Sequence, residues 1–293
     1  GPPITRRVNL KIQDRCDFMC SYCYIPFARG RSRSRRLENA VAEARALVRR
    51  GVRELVLTGV NIGHYNDAGK DLITLVDALD GLEPKVRVRI GSIELTNLPE
   101  ALLERMASPG HALVPSLHVP LQSGSDAVLN AMRRSYTGAA YLEFMHRAAE
   151  TVPGIGLSAD VMVGFPGETE TDFQHTYDVI EHSPLFHVHV FQYSERPEVA
   201  AARLPGKIPA ATSKARSEAL LTLGREKKRA FQVSQLGEIR PVLFESRRNG
   251  MWFGHTDNYL EVLVASPESL ENRLAGVLLR EIGDDILLGE RLD

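Results

Sequence analysis

Short apolar runs alternate with segments of helical spacing along the first two thirds of the chain. The runs are rich in β-formers and predict six strands, at residues 8–13, 54–58, 86–90, 116–121, 157–163 and 187–192. Between them, apolar positions recur every three or four residues and predict helices at 38–50, 72–79, 99–106, 141–151 and 170–181. This alternation predicts an α/β fold with a parallel sheet, either open and doubly wound or a partial (β/α)6 barrel. In both architectures ligands bind at the carboxyl ends of the strands.

The pattern changes after residue 192. Residues 193–211 predict a Pro-containing connection, and residues 212–236 predict a charged helix. Beyond it, short runs at 241–245, 252–254, 259–264 and 286–288 are separated by Gly, Asn and Asp turns, which predicts a small antiparallel OB-like β-barrel. We therefore expect one domain over residues 1–236 and a second over residues 237–293.

Composition indicates an ordinary globular protein. Hydrophobic residues make up 43% of the chain and charged residues 25%, with a net charge of −1. No apolar run approaches the roughly 20 residues of a membrane helix, and no signal peptide is recognisable, so we expect no membrane association and a cytoplasmic location. Residues 237–293 carry 6 basic and 11 acidic residues, which leaves the preceding part mildly basic.

The three cysteines, Cys16, Cys20 and Cys23, follow directly on the first predicted strand. An odd number of cysteines this close together indicates a metal site rather than a disulfide framework. Zinc sites and structural clusters normally take four protein ligands, and no fourth cysteine is present. Three thiolates on a four-iron cluster would leave one iron open to a small molecule. A zinc ion completed by one of the nine histidines, or three unrelated thiols, are the alternatives.

The spacing C-x3-C-x2-C, with Tyr22 before Cys23, resembles that of the radical S-adenosylmethionine (SAM) enzymes, which fold as partial (β/α)6 barrels. Further segments resemble the methylthiotransferase branch of that family, namely residues 11–14, 25–30, 32–35, 57–63, 118–125, 132–133, 136–137 and 160–169. In that branch the tail is a TRAM domain, an RNA-binding barrel, and residues 254–262 resemble its core motif. The resemblance covers nearly the whole chain.

The resemblance implies two cofactors, a [4Fe-4S] cluster on the three cysteines and SAM bound at the open iron. One electron, from a donor such as flavodoxin or ferredoxin, would cleave SAM to a 5′-deoxyadenosyl radical, while the protein orients the cofactor. The positions expected to bind SAM are Tyr22, Thr58, Gly59, Asn61, Ser92, Glu94, Gln122, Ser123, Asp160 and Gly164. The glycine-containing segments among them are also compatible with simple turns.

Five arginines lie between residues 29 and 36, beside the cysteine loop. A charge run is usually a solvated face, but guanidinium groups at the rim of an active site can bind the phosphates around a modified nucleotide. We expect Arg29, Arg31, Arg33, Arg35 and Arg196 to bind RNA. In the acidic tail, contacts would have to come from Arg247, Arg248 and Trp252, whereas Phe231, Trp252 and Tyr259 are more typical of a core.

Within the branch, residues 191–197, 201–204 and 256–259 most resemble enzymes that methylthiolate C2 of N6-threonylcarbamoyladenosine at position 37 of tRNA. The expected partner is then a tRNA anticodon stem-loop, from which the target base is splayed out. Other members act on isopentenyladenosine in tRNA or on an aspartate of a ribosomal protein. A non-catalytic RNA-binding protein with a structural cluster is an alternative of another class. Arg15, Asp17 and Glu198 depart from the Gly, Asn and Gly usual in the family.

Full-length members also carry an amino-terminal domain whose three cysteines bind an auxiliary cluster. The present sequence has no cysteines besides Cys16, Cys20 and Cys23, and its start at Gly1-Pro2 resembles a cleaved tag. We therefore expect this chain to be the radical core and tail of a longer protein. His187 and His189 alternate on a predicted strand, and we expect packing or rim roles for both rather than a metal site.

Overall fold

A parallel sheet connected by helices is followed by a five-stranded barrel. The computed structural model describes residues 7–292. Within that range the strands are β1 (Arg7–Lys11), β2 (Gln13–Asp14), β3 (Arg33–Ser34), β4 (Glu54–Thr58), β5 (Asn66–Asp67), β6 (Lys70–Asp71), β7 (Arg87–Ile90), β8 (Ser116–His118), β9 (Gly156–Val163), β10 (His187–Gln192), β11 (Ile239–Arg248), β12 (Met251–Thr256), β13 (Glu261–Val264), β14 (Leu274–Ile282) and β15 (Leu287–Arg291). The α-helices are α1 (Ile25–Arg29), α2 (Leu37–Arg49), α3 (Leu72–Asp80), α4 (Ala101–Ala107), α5 (Asp126–Ala131), α6 (Gly138–Thr151), α7 (Glu170–His182) and α8 (Ala210–Ser234).

The parallel strands lie side by side in chain order. One ladder joins β1, β4 and β7, and a second joins β8, β9 and β10. Parallel bridges from Val88 to Leu113 and from Ser92 to His118 connect the two ladders. A doubly wound sheet reverses its strand order at a switch point, and no reversal occurs here. The predicted parallel sheet is confirmed, and its winding is the sequential one of a barrel-type fold.

Two of the six predicted strands end earlier than expected. β1 ends at Lys11, because Gln13 and Asp14 leave the sheet and pair antiparallel with Ser34 and Arg33. β8 ends at His118 instead of residue 121, close to Pro120, which has no N–H to donate to a ladder. Helices α1 and α5 were not predicted, because five or six residues are too few to display a helical period.

Amphipathic spacing and capping explain the longer helices. In α2, Ala40, Ala44 and Val48 are the buried residues, and their spacing of four places them on one face. Helix α7 begins with a capping box, in which Thr169 and Asp172 each bond the other's backbone N–H. Local sequence thus accounts for where these helices begin and which face they bury.

Strand alternation directs polar side chains to the inner face of the sheet. In β9, Leu157, Ala159 and Val161 are buried, whereas Ser158 and Asp160 are only partly buried. The period of two residues therefore points one set into the helix layer and the other set inward.

The carboxy-terminal strands form a closed barrel in the order β11-β12-β13-β15-β14. Strands β13 and β15 pair in parallel, so the barrel is not wholly antiparallel as predicted. Strand β14 was missed because Gly276 and Arg280 interrupt its apolar alternation, and its register shifts between Leu279 and Glu281. Trp252 is buried in the barrel core, as expected.

Tyr259 does not belong to the core, contrary to the prediction. The side chain is 42% exposed and its φ of 74° lies in the left-handed region. Its ring stacks on His255, and the guanidinium groups of Arg7 and Arg89 lie over the ring in cation–π contacts. Phe231 is partly buried and stacks on Phe186.

A buried charge cluster connects the sheet to the barrel. Glu54 on β4 has no solvent exposure and forms ion pairs with Arg7, Arg87 and Arg89. Arg87 also donates to the carbonyl oxygen of Thr256 at 3.2 Å, on barrel strand β12. Because these arginines bond both parts, the cluster ties the barrel to the inner face of the sheet. Within residues 7–292, no helix combines the length and apolarity that a membrane crossing requires.

Candidate cluster and cofactor site

The cysteine loop occupies residues 15–24, between β2 and α1, and all three thiols are partly exposed. The backbone N–H of Cys23 donates to the carbonyl oxygen of Cys20 at 3.1 Å, which closes a turn. The Sγ atom of Cys16 accepts from the N–H of Phe18 at 3.4 Å, and that of Cys20 accepts from Nη1 of Arg134 at 3.6 Å. Two of the three sulfurs therefore already accept hydrogen bonds.

The three sulfurs are spaced more widely than the ligands of a closed zinc site. In a tetrahedral zinc site with Zn–S bonds of about 2.3 Å, sulfur atoms lie about 3.8 Å apart. Among the described residues, the three thiols do not form a group whose ligand atoms all lie within 4.8 Å of one another. A polynuclear cluster accepts wider spacing, and hydrogen bonds to its sulfurs tune its potential. Burial raises the pKa values of Cys16 and Cys23, and ligation to a metal would deprotonate both.

A buried arginine lies beneath the loop. Arg134 pairs with Glu94 at 2.6 Å and donates from Nε to the hydroxyl of Tyr136 at 3.1 Å. Burial by itself would lower the pKa of Arg134, but the surrounding acidic groups outweigh it and raise that pKa. Burial raises the pKa of Tyr22, which keeps its hydroxyl neutral. A fixed positive charge therefore lies next to Cys20, where it would stabilise an anionic cluster.

Gln13 links the cysteine loop to the loop that follows β4. Its Oε1 accepts from the backbone N–H groups of Val60 and Asn61, both at 2.9 Å. Its Nε2 donates to the carbonyl oxygen of Arg15 at 2.8 Å. A Cβ at Gly59 would lie 2.8 Å from the same Oε1, so the loop requires glycine there. One buried side chain thereby sets the distance between two segments predicted to bind the cofactor.

Among the residues predicted to bind SAM, Asn61 has a buried amide that is left without hydrogen-bond partners among the described residues. Its side chain is 1% exposed, and neither amide atom has a hydrogen-bond partner within residues 7–292. Buried amides without partners are rare, and a polar ligand would satisfy this one. The Thr58 carbonyl oxygen already accepts from Ile12 at 3.0 Å, which positions the loop.

Three other residues predicted to bind SAM already form hydrogen bonds to other parts of the protein. Ser123 is fully buried and its hydroxyl bonds Thr176 on α7 at 3.1 Å, so it faces the helix layer. Gln122 has a φ of 65° and its N–H donates to the carbonyl oxygen of Asp160. Gly164, with a φ of 76°, donates its N–H to Glu168 at 2.7 Å.

Ser92 and Asp160 belong to a different part of the inner face. Ser92 bridges to His118, whose Nε2 lies 3.2 Å from Oδ1 of Asp160. A cavity of about 410 Å³ opens here, between the inner face of the sheet and the barrel. Its lining includes Arg89, Ser92, His118, His189, Lys228 and Tyr259.

The arginine run is largely engaged in ion pairs. Arg29 and Arg33 lie 3.2 and 3.7 Å from the carboxylate of Asp14, and Arg35 pairs with Glu43. Asp14 therefore neutralises part of the positive charge that the sequence places beside the cluster loop.

The other arginines predicted to bind RNA are exposed as well. Arg31 and Arg196 are exposed. In the barrel, Arg247 stacks on Trp252 with its guanidinium carbon 5.3 Å from the ring centroid, and Arg248 is 52% exposed.

Comparison with known proteins identifies the family. The model of the radical SAM superfamily matches residues 10–180 of this chain. The chain belongs to the radical SAM superfamily. The match contains the cysteine loop, Gln13, Asn61 and Arg134, so the site described above lies within the radical SAM domain.

The chain is also similar in sequence to curated proteins that are named for modifying tRNA. The threonylcarbamoyladenosine tRNA methylthiotransferase MtaB of Bacillus subtilis is 34% identical over 285 residues, covering 94% of this chain and 63% of the relative. The tRNA-2-methylthio-N(6)-dimethylallyladenosine synthase of Jannaschia sp. is 36% identical over 291 residues, covering 96% and 62%. The chain thus spans slightly less than two thirds of the length of either relative.

Solved structures agree on the radical SAM fold. The radical S-adenosylmethionine methyltransferase TsrM from Kitasatospora setae has a TM-score of 0.55 at 16% identity, over 66% of this chain and 38% of its own. Coproporphyrinogen III oxidase, HemN, from Escherichia coli has a TM-score of 0.54 at 14% identity, over 85% and 66%. The predicted α/β radical SAM domain is confirmed.

Sequence reasoning missed several residues of this radical SAM site. Gln13 and Tyr136 lie in segments that carried the family resemblance, and Arg134 lies between two such segments. Nothing in their spacing indicated that they support the cysteine loop. His118 and His189 meet across the inner face from two different strands. Their separation of 71 positions in the chain left no local signal.

Proposed function

We propose that this chain is the radical core and RNA-binding barrel of a tRNA methylthiotransferase that modifies C2 of N6-threonylcarbamoyladenosine at position 37, next to the anticodon. The observation that carries the proposal is the loop with Cys16, Cys20 and Cys23, whose sulfurs lie beside Arg134 inside a radical SAM domain. The names of the relatives supply the reaction class.

In this proposal the three cysteines hold the cluster, and Asn61 receives a polar group of SAM. The cluster, when bound, supplies the electron that cleaves SAM, and a flavodoxin or ferredoxin supplies that electron in turn. This chain's own residues bind and orient. Gln13 sets the position of the Asn61 loop, and Arg134 keeps a positive charge against Cys20. Glu94 holds Arg134 in place through their ion pair at 2.6 Å.

The barrel over residues 237–293 is the proposed TRAM domain. Its strand order brings β11 beside both β12 and β14, the closed five-stranded arrangement expected of an OB-like fold. The cavity between barrel and sheet is open to a splayed nucleotide, and the exposed Arg31 and Arg196 are available for flanking phosphates.

The cationic side chains of the cavity favour threonylcarbamoyladenosine as the substrate, because its substituent ends in a carboxylate. Two cationic side chains, Arg89 and Lys228, line the cavity together with one acidic side chain, Glu261, whose carboxylate lies 3.9 Å from Lys228. Arg89 belongs to a cluster in which Arg7, Arg87 and Arg89 face the buried Glu54. Isopentenyladenosine carries an apolar substituent and gains nothing from these cations. It remains the second candidate because the Jannaschia relative is 36% identical to this chain.

The radical chemistry is tested with anaerobically reconstituted, reduced protein and SAM. We expect about four irons per chain and release of 5′-deoxyadenosine. Alanine at Cys16, Cys20 and Cys23 together should abolish both. Ser21→Ala is the matched control, because Ser21 lies in the same loop and, within residues 7–292, its hydroxyl bonds only the carbonyl oxygen of Ala131. A single bound zinc, or unchanged iron in the cysteine variant, would refute the enzyme and favour a binding protein.

The choice of nucleoside is tested by binding of anticodon stem-loops. Three stem-loops differ only at position 37, which carries threonylcarbamoyladenosine, isopentenyladenosine or adenosine. We expect the first to bind most tightly and to lose its advantage in the Lys228→Met variant. Tighter binding of the isopentenyl stem-loop would replace the first candidate with the second.

A further inference from the structure

Three metal-ligating side chains converge on the inner face of the sheet, away from the cysteine loop. His118 ends β8, Asp160 lies on β9, and His189 lies on β10. Their strands are neighbours, and alternation points all three side chains inward. One ligand atom from each lies within 4.8 Å of the others, and this is the only such trio found within residues 7–292.

The distances fit a metal site. In a tetrahedral site with bonds of about 2.0–2.1 Å, ligand atoms lie about 3.4 Å apart. Nε2 of His118 and Oδ1 of Asp160 are 3.2 Å apart. The rings of His118 and His189 have centroids 5.6 Å apart and are tilted by 53°, so neither ring stacks on the other. The His189 side chain is exposed, which leaves its ring room to adjust to an ion.

A neighbouring hydroxyl orients the first ligand. Nδ1 of His118 lies 2.9 Å from Oγ of Ser158, two residues before Asp160 on β9. Metal-binding imidazoles nearly always donate their second ring N–H to an acceptor, usually a carboxylate, a backbone carbonyl or water, which fixes the ring and leaves the other nitrogen for the metal. Here Oγ of Ser158 is in position to act as that acceptor. Ser158 is therefore placed as a supporting group of a metal site.

We propose that His118, Asp160 and His189 bind one divalent metal ion, Zn²⁺ by ligand type, at the wall of the cavity between sheet and barrel. Two imidazoles and one carboxylate are a known zinc ligand set that leaves a fourth position open. His118 and His189 line the cavity, so the fourth position would take water or another oxygen ligand from it. The site is distinct from the cysteine loop and assigns Asp160 to the metal rather than to SAM. It does not depend on the proposed function.

A simpler arrangement competes with this one. His118 and Asp160 can form a plain hydrogen bond at 3.2 Å, with Ser158 donating to the other ring nitrogen and His189 only lining the cavity. The two arrangements differ in whether His189 matters for metal binding, and this difference can be measured.

The test uses the full chain with its cluster reconstituted, so that iron occupies the cysteines, followed by titration with Zn²⁺ and removal of the unbound metal. We expect one zinc per chain, with X-ray absorption showing only nitrogen and oxygen neighbours at about 2.0–2.1 Å. Asp160→Asn and His189→Gln should each lose the zinc while keeping their iron. Ser158→Ala should bind zinc about 10- to 100-fold more weakly.

His187→Gln is the matched control. His187 lies on the same strand, lines the same cavity and contacts His189 with ring centroids 4.4 Å apart, but it is not one of the three ligands. It should keep the zinc. Absence of stoichiometric zinc, sulfur neighbours at about 2.3 Å, retention of zinc by His189→Gln, or equal loss in His187→Gln would each overturn the proposal.

Discussion

Replacing Glu54 with glutamine should destabilise the protein severely. The carboxylate is fully buried and pairs with Arg7, Arg87 and Arg89, whose side chains are 19%, 7% and 6% exposed. The amide would leave three guanidinium groups without their common counter-charge. Removing one partner of a buried ion pair costs about 3–5 kcal/mol, and the low exposure of these arginines leaves little screening by solvent. Glu245 compensates only Arg7, at 2.8 Å, so we expect a loss within that range.

The assay is urea unfolding followed by two probes. Trp252 is the single tryptophan and lies in the barrel, whereas far-UV circular dichroism reports mainly on the helices of the sheet domain. Because Arg87 also donates to Pro241 and Thr256 of the barrel, both transitions should move to lower urea.

An exposed ion pair provides the control. Glu43 and Arg35 are 43% and 32% exposed, so Glu43→Gln should cost at most about 1 kcal/mol. A loss in Glu54→Gln no larger than in this control would show that the buried carboxylate contributes nothing special.

The pH dependence of stability provides a second test of Glu54. Burial by itself would raise the pKa of this carboxyl, but Arg89 and Arg87 outweigh burial and lower it below its ordinary value of 4.5. A lowered folded-state pKa contributes stability above the ordinary value, and that stability is lost as the pH falls towards the folded-state pKa. Between pH 5 and pH 3, wild-type protein should therefore lose more stability than Glu54→Gln. Parallel curves would contradict this reasoning.

Three further substitutions test local geometry by urea unfolding. Arg15 has a φ of 71°, which is strained for a residue with a Cβ, so Arg15→Gly should stabilise the protein by about 1 kcal/mol. A lower urea midpoint in this variant would show that the backbone is not strained there. Gly164→Ala should destabilise the protein by more than about 1 kcal/mol, because φ at this position is 76° and the new Cβ would lie 2.1 Å from Oγ of Ser213. Adding Ser213→Ala removes that contact but not the unfavourable φ, so it should recover only part of the loss. Thr169→Ala removes the cap that bonds Asp172, and should cost about 1 kcal/mol unless water replaces the hydroxyl.

The sequence alone was sufficient for the features that depend on near neighbours in the chain. The alternation of apolar runs and helical spacing predicted the parallel sheet and placed β4 and β10 at their observed bounds. The spacing of Cys16, Cys20 and Cys23 identified the candidate cluster site, because three thiols within eight residues can bind one metal centre independently of the rest of the fold. The left-handed φ at Arg15 also accounts for the glycine that the resemblance leads one to expect there.

Only the tertiary structure decided what those thiols meet. Arg134 reaches Cys20 across 114 positions of the chain, and Gln13 bonds a loop 48 positions away. The convergence of His118 and His189, and the exposure of Tyr259 beside Arg7, likewise follow from strand order and from the docking of the barrel. Backbone periodicity constrains which face a residue takes, but it carries no information on which distant residue lies opposite. That is set by the packing of the whole sheet against the barrel.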